Sequence, residues 1–335
     1  RKRVLSGIRP TGKLHIGHWA GVLSNWVELQ EKYDCFFMVA DWHALMSEYK
    51  NSGKIKSNII DNVADWISWG IDPGKSVVFV QSDVSEHIEL FMFLSVLTPL
   101  GWLSRCPTFK EQLKQLKDKD INTYAFLGYP ALQASDILIY KANYVPVGED
   151  QLPHLEVTRE IARRFHFIYK RSVFVEPQPL LTKAPKLLGV DNRKMSKSYN
   201  NFISLDEDDS SIETKITSMF TDPLRLRKKD PGHPDTCNVF SYYKTFAADL
   251  TDDVRTWCVN AKKGCRECKE ILAKKLIGII SDRRKRKREL LRDKDFLPSV
   301  LRDGAQKAKS FASRTLAEVK EAVYPVRDLK RSTTI

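Results

Sequence analysis

Two short strings carry residue types that suit a polyphosphate. In His15-Ile16-Gly17-His18 two imidazoles stand three residues apart, just after a Pro/Gly turn, where the apolar pattern starts a helix. Helix N-terminal N–H groups attract phosphate, and a glycine lets a base or sugar approach the backbone. Taken alone, such histidines equally suit a helix cap or a surface pair. In Arg193-Lys194-Met195-Ser196-Lys197-Ser198 two lysines three apart, with hydroxyls between them, lie in a stretch rich in Pro, Lys, Gly and Asn. That composition reads as a mobile surface arm able to close over a polyphosphate, although any solvated loop can look the same.

Two further clusters point to other chemistry. Gln133, Asp136 and Tyr140 share one helical face in apolar surroundings, where a carboxylate at 136 needs a hydrogen-bond partner or is costly to bury. Cys237, Cys258, Cys265 and Cys268 follow a Cys-x20-Cys-x6-Cys-x2-Cys pattern. Four thiolates suit tetrahedral Zn²⁺ or a [4Fe-4S] cube, and spacing does not choose between them. Cys35 and Cys106 stand outside this set.

The elements that must position these groups alternate. Strand-like runs at 3–8, 35–40, 76–81 and 143–147 are separated by helical periodicity at 16–31, 55–69, 88–97, 131–141 and 152–167. This predicts an α/β unit with a parallel sheet covered by helices. Beyond residue 203 come acidic, turn-rich and long charged helical stretches without a clear strand, which predicts a mostly helical second region.

The chain has 335 residues, 42% hydrophobic and 29% charged, which excludes a disordered chain and a small disulfide scaffold. Its net charge of +13 is uneven: residues 151–335 carry 39 basic against 25 acidic side chains, so this half is expected to face a polyanion. The run 283–288 is six consecutive basic residues, which equally suits a solvated helix face. The most apolar stretch, 90–103, is too short to span a bilayer and contains Pro99 and Gly101. The opening residues lack the apolar segment of a signal peptide, so a cytoplasmic location without membrane contact is expected.

Together, the His-Ile-Gly-His and Lys-Met-Ser-Lys-Ser strings resemble the paired signatures of class I aminoacyl-tRNA synthetases. The flanking wording narrows the resemblance. The segments 6–18 (SGIRPTGKLHIGH), 40–44 (ADWHA), 129–138 (YPALQASDIL), 145–151 (VPVGEDQ) and 156–162 (EVTREIA) resemble the bacterial type of tryptophanyl-tRNA synthetase, from residue 4 to about 325. The tyrosine-specific relatives share the two signatures but not these segments.

The resemblance implies a Rossmann-type catalytic domain over 1–185, a mobile signature loop at 186–203, a helical anticodon-binding domain over 204–310, and a C-terminal helix and tail at 311–335 packing back on the catalytic domain. It implies ATP contacts by Arg9, His15, Gly17, His18, Lys110, Gly148, Asp150, Lys194, Met195 and Lys197, with Mg²⁺ as counter-ion. Arg9 departs from the Gln common among relatives. It places the amino acid against Gly7, His43, Tyr129, Gln133, Asp136, Val145, Val147 and Gln151, with Asp136 accepting the indole N–H of L-tryptophan. A subset of the family holds a [4Fe-4S] cluster on similarly spaced cysteines, which favours iron–sulfur over zinc at Cys237, Cys258, Cys265 and Cys268. The first spacer is slightly shorter here. Expected partners are tRNA(Trp) and a second copy of the chain in a homodimer.

Overall fold

The computed structural model describes residues 1–105, 121–181, 187–195 and 199–325. Five parallel strands form its sheet: β1 (Arg3–Ile8), β2 (Asp34–Val39), β3 (Ser76–Val80), β4 (Tyr144–Val147) and β5 (Gln178–Leu181), in the order β3-β2-β1-β4-β5. Register pairs Gly7 with Met38 and Val145 with Pro179. The winding reverses between β1 and β4, and in open α/β sheets the crevice outside the carboxyl ends of such strands is where ligands bind. The first four strands match the sequence periodicity to within a residue. β5 does not announce itself, because Pro179 removes a donor and the strand is four residues long. An edge position tolerates both features.

Parallel pairing requires crossovers, and helices supply them. They are α1 (Ser24–Lys32), α2 (Asp41–Glu48), α3 (Ile55–Ser68), α4 (Glu86–Ser95), α5 (Tyr124–Ile139) and α6 (Leu152–Tyr169), besides the short helix Leu100–Arg105. A helical turn at Ile16–His18 and a π-helical stretch at Trp19–Leu23 lead into α1, so the helix expected over 16–31 is continuous but locally widened. After residue 199 the named elements are helical: α7 (Asp209–Thr217), α8 (Asn238–Phe246), α9 (Thr251–Val259), α10 (Cys265–Arg292) and α11 (Phe296–Val323). Among the described residues no helix is long and apolar enough to cross a membrane.

Strand alternation sorts the core into two layers. On one face Val4, Phe37, Val39 and Val78 pack with Trp26 and Trp66, and the same cluster continues into Tyr242 of α8 and Leu272, Leu276 and Ile280 of α10. On the other face Leu5, Phe36, Met38 and Phe79 pack with Leu90 and Leu94 of α4, and with Ala308, Ala312 and Leu316 of α11. Each large apolar side chain so buried contributes about 1.5–3 kcal/mol. α11 lies so close to the sheet that a Cβ at Gly304 would stand 1.8 Å from the Val78 carbonyl oxygen.

Candidate functional site

At the carboxyl ends of β1, β2 and β4 lies a cavity of about 400 Å³, within the range of small-molecule sites. β1 supplies Gly7 with Arg9 just beyond it, β4 supplies Val145 and Val147 with Gly148 beyond it, α2 supplies His43, and α5 supplies Tyr129, Gln133 and Asp136; Gln151 closes one side. All eight residues expected to hold the amino acid therefore line one cavity, together with Arg9 and Gly148. Gly7 must stay bare, since a Cβ there would lie 2.8 Å from the Met38 carbonyl oxygen.

Asp136 is 2% exposed and richly bonded. Its Oδ2 lies 2.8 Å from His43 Nε2, its Oδ1 lies 2.6 Å from His87 Nδ1, and Gln81 Nε2 donates to both oxygens at 2.8 and 3.0 Å. Burial by itself would push this carboxyl up; hydrogen bonds from His43 and His87 more than offset it, and the net shift is downward. The cavity thus presents an ionised carboxylate beside apolar side chains such as Met38, Ile137, Val145 and Val147, with Arg9, Gln133 and Gln151 also in its lining. This suits a flat apolar ring bearing one N–H donor on a molecule with a polar end. The sequence reading placed Asp136 and Tyr140 on one helical face but missed Gln81 and His87. His87 carried a signal, because it falls in register with Leu90 and Leu94 on the buried stripe of α4.

A second relay supports Tyr129, whose hydroxyl lies 2.9 Å from His154 Nε2. Burial lowers the His154 imidazole to about 4, so the ring is neutral at physiological pH. His154 stands on the buried face of α6 and was also not singled out from sequence.

The phosphate-type residues lie beside the cavity rather than in its lining. His15 caps the helical turn: its Nδ1 accepts from the Gly17 N–H at 3.2 Å, and His18 Nδ1 accepts from the His15 N–H at 3.1 Å. Both imidazoles are thereby held in fixed orientation, a capping box that the sequence reading had weighed as an alternative. The two signature strings meet at Gly17, where a Cβ would stand 2.9 Å from both Met195 Sδ and His15 Nδ1. The flanks of the arm are pinned. His15 pairs with Ser204, the Ile16 N–H donates to the Ile203 carbonyl, and Leu188 pairs with Lys194, whose carbonyl accepts from Asn201. Asp150 accepts from Gln151 Nε2 at 2.9 Å. Lys110 and Lys197 lie outside the described residues, as do Ser196, Ser198 and Cys106.

The four clustered cysteines, all free, line one small apolar cavity of about 30 Å³ with Phe240, Val254 and Trp257. Arg225 Nη1 donates to Cys265 Sγ at 3.8 Å, and Gly232 packs so tightly that a Cβ would lie 2.3 Å from Cys258 Sγ. Among the described residues no three His, Cys, Asp or Glu side chains come close enough to hold a single metal ion. The thiols thus face a common space without forming a one-ion cage. Burial raises the Cys237 and Cys258 thiols and pushes Cys268 up to about 12.

The basic half is more self-satisfied than its composition suggests. Within 283–288, Arg283 donates to the Ser68 carbonyl, Arg284 pairs with Asp209 at 2.7 Å, and Lys287 is buried among Asp61, Asp65 and Asp206. Trp257 is half-buried beside the cysteines with the Lys263 ammonium over its ring, so it packs within this region.

Known proteins match this arrangement along nearly the whole chain. Residues 1–281 fit the family described as tRNA synthetases class I (W and Y). The chain is similar to the tryptophan–tRNA ligase of Thermotoga maritima, 47% identical over 326 residues, covering 96% of this chain and 98% of that protein. It is also similar to the tryptophan–tRNA ligase of Aquifex aeolicus, 41% identical, covering 96% and 99%. Among solved structures it is similar to tryptophanyl-tRNA synthetase from Campylobacter jejuni complexed with ADP and tryptophane, with a TM-score of 0.86 at 32% identity, covering 96% of this chain and 99% of that one. With this identity and coverage, and with the two signature strings meeting beside a cavity lined by all eight expected amino-acid residues, the chain belongs to the tryptophan–tRNA ligases of the class I tRNA synthetase family.

Proposed function

We propose that the cavity is the tryptophan pocket of an ATP-dependent tryptophan–tRNA ligase, with Asp136 as the acceptor of the indole N–H. The chain is a tryptophan–tRNA ligase by family. It activates L-tryptophan with ATP to tryptophanyl-adenylate and pyrophosphate, then passes the acyl group to the 3′ adenosine of tRNA(Trp). The observation that carries the assignment of the pocket is the ionised, 2%-exposed Asp136 carboxylate at a cavity it shares with Met38, Val145 and Val147.

In activation the substrate carboxylate attacks the α-phosphorus, an oxygen–phosphorus bond forms, and the bond to the β-phosphate oxygen breaks. The nucleophile is already charged, so the protein aligns the reactants and stabilises the departing pyrophosphate. Tyr129, Gln133 and Gln151 hold the α-amino group; Gly7, His43, Val145 and Val147 wall the ring. His15, Gly17, His18, Gly148 and Asp150 take the adenosine and phosphates, Met195 packs near the adenine, and Arg9, Lys110, Lys194 and Lys197 neutralise phosphate. Mg²⁺, when bound, supplies further counter-charge on the triphosphate.

The same reading assigns 1–185 to catalysis, 186–203 to the closing loop, 204–310 to the anticodon and 311–335 to a C-terminal helix and tail. It places the enzyme in the cytoplasm, where its tRNA is charged. Cys237, Cys258, Cys265 and Cys268 would hold a [4Fe-4S] cluster that cross-links α8, α9 and α10. What favours it over zinc is the resemblance of the cysteine spacing to the cluster-bearing subset of the family; the four thiols line one small apolar cavity. A homodimer is supported by exposed apolar side chains close together in sequence, Ile88 and Met92 on α4 and Val96 and Leu100 just beyond it, each 41–68% exposed.

ATP–pyrophosphate exchange with tryptophan and with tyrosine tests the pocket. Hydrogen-bond-built pockets reject analogues by about 10⁴–10⁵, so exchange should be tryptophan-dependent and should lose its selectivity in Asp136→Ala. Equal exchange with tyrosine in the unaltered enzyme would refute the assignment.

A further inference from the structure

Asp136 is the end of a buried chain of hydrogen bonds that starts away from the cavity. His87 is 0% exposed and does not line the pocket; neither does Tyr140, also 0% exposed. The Tyr140 hydroxyl lies 2.7 Å from His87 Nε2, and His87 Nδ1 lies 2.6 Å from Asp136 Oδ1. We propose that His87 is a positioning residue for amino-acid selection: Tyr140 fixes its tautomer, and its Nδ1–H fixes the Asp136 carboxylate in the orientation that accepts an indole N–H. The inference deepens the reading of the cavity as the tryptophan pocket and rests on it.

The tautomer follows from counting donors and acceptors. The ionised Asp136 carboxylate can only accept, so His87 Nδ1 must carry a proton toward it; in the neutral ring Nε2 is then left as an acceptor, and the Tyr140 hydroxyl donates to it. The ring is also fixed from its own backbone, since the His87 carbonyl accepts from Ser135 Oγ at 2.5 Å, one residue before Asp136 on α5. The carboxylate therefore has little freedom to turn. It offers about four lone-pair sites; His87 and His43 take one each and the Gln81 N–H is shared between the two oxygens, so an incoming donor competes with Gln81 and not with the two imidazoles.

A purely structural explanation fits poorly. Gln81 gives its N–H to both Asp136 oxygens and leaves its own Oε1 buried without a partner. An unpaired buried carbonyl costs stability, and a carboxylate held in an apolar interior costs more. Neither is a favourable way to fill a core. Both make sense if the group they hold must be ionised and immobile when the substrate arrives, because preorganised supporting residues decide how well a polar contact discriminates.

The test compares tryptophan with β-(benzothiophen-3-yl)alanine, in which sulfur replaces the indole N–H at nearly the same shape. Exchange kinetics are measured for the unaltered enzyme, His87→Leu, His87→Asn and Tyr140→Phe. Asn places an amide N–H near the position of Nδ1, whereas Leu removes the donor. The ratio of kcat/KM for tryptophan to that for the sulfur analogue should fall at least about tenfold in His87→Leu and stay within roughly threefold of the unaltered enzyme in His87→Asn, with KM for ATP unchanged in both. A ratio kept in His87→Leu, or lost equally in both variants, overturns the inference. Should His87→Leu fail to fold, Tyr140→Phe decides: it leaves both ring nitrogens in place, a fall of about threefold supports the relay, and an unchanged ratio overturns it. An unaltered enzyme with no preference for tryptophan over the analogue would instead overturn the reading of the pocket, and this inference with it.

Discussion

Replacing Lys287 by Met should expose how the helical region is fastened to the sheet. Lys287 of α10 is 4% exposed, with its Nζ 2.8 Å from Asp61, 2.9 Å from Asp65 and 3.2 Å from Asp206. Burial would lower the ammonium, but the three carboxylates more than offset this and raise it. Asp65 moves the other way from a simple ion pair: burial pushes it up to about 7 despite Lys287. Both directions follow from three acids sharing one buried cation, so the most buried acid holds a proton near neutral pH. Asp206 has Lys13 and Ser204 as further partners and stays low, at about 2. Asp61 has a partly exposed side chain that water can reach. The cost of losing Lys287 therefore falls mainly on Asp65, with no cation left beside it. Breaking a buried pair from one side costs about 3–5 kcal/mol, and for a chain of this size each kcal/mol moves Tm by about 2 °C. Lys287→Met should lose roughly 6–10 °C at pH 8. At pH 5 Asp65 carries its proton in both proteins, and the loss should shrink to about 1–3 kcal/mol of hydrogen bonding. Calorimetric melts at both pH values check this; a shift below about 2 °C at pH 8, or the same shift at both pH values, would refute the argument.

Asp65→Asn should flatten part of the pH dependence of stability. A carboxyl raised from 3.8 to about 7 binds its proton more tightly when folded. It contributes stability that is full below about pH 4 and is lost as pH rises through 7. His154, lowered to about 4, has the opposite slope, because its stability is present above 6.5 and lost on acidification. The informative quantity is thus the difference between variant and unaltered melts from pH 5 to 8, and parallel curves would count against the assignment. Gly17→Ala should raise KM for ATP and cut kcat by roughly 10²-fold, with KM for tryptophan unchanged, because its Cβ would displace Met195 and His15; steady-state kinetics within twofold of the unaltered enzyme would contradict it. Gly304→Ala should destabilise by about 1–3 kcal/mol through collision with the Val78 carbonyl, as read by urea denaturation. Anaerobically purified protein should be brown, with about four irons per chain; a colourless protein with one zinc would reverse that part of the proposal.

Much of this molecule is legible in its sequence where local physics dominates. β1 to β3 are runs of β-branched and aromatic residues long enough to pair on both sides, and α3 and α6 show clear apolar stripes. β5 was hidden because a four-residue edge strand with a proline has almost no pattern of its own. The pocket residues could be gathered from distant segments because the resemblance supplied the grouping, which no local period could. What stayed hidden were the partners of those residues. Gln81 follows β3, His87 begins α4 and His154 begins α6, and only the packed fold brings them to Asp136 and Tyr129. Charge misled in the same way: the run 283–288 reads as a surface for a polyanion, yet Lys287 points inward and Arg284 is spent on Asp209. Composition reports how much charge a helix carries, and only packing decides which way it points.

The topology explains why a single strand end can serve both halves of the first reaction. β1 is central, so its carboxyl end faces the switch point, and Gly7 and Arg9 reach the amino-acid cavity from there. The chain then needs only the turn at 9–12 to reach His15, whose backbone pairs with Ser204 beyond the second signature. Ser204 donates to Asp206, and Asp206 touches both Lys13 and Lys287. Lys287 of α10 is thus linked to Lys13 through Asp206, and to the backbone partner of His15 through Asp206 and Ser204, by polar contacts outside the apolar core. The cluster that holds the helical region to the sheet therefore shares Asp206 with the segment that pairs with His15, whereas, among the described residues, those expected to hold tryptophan make no polar contact with it.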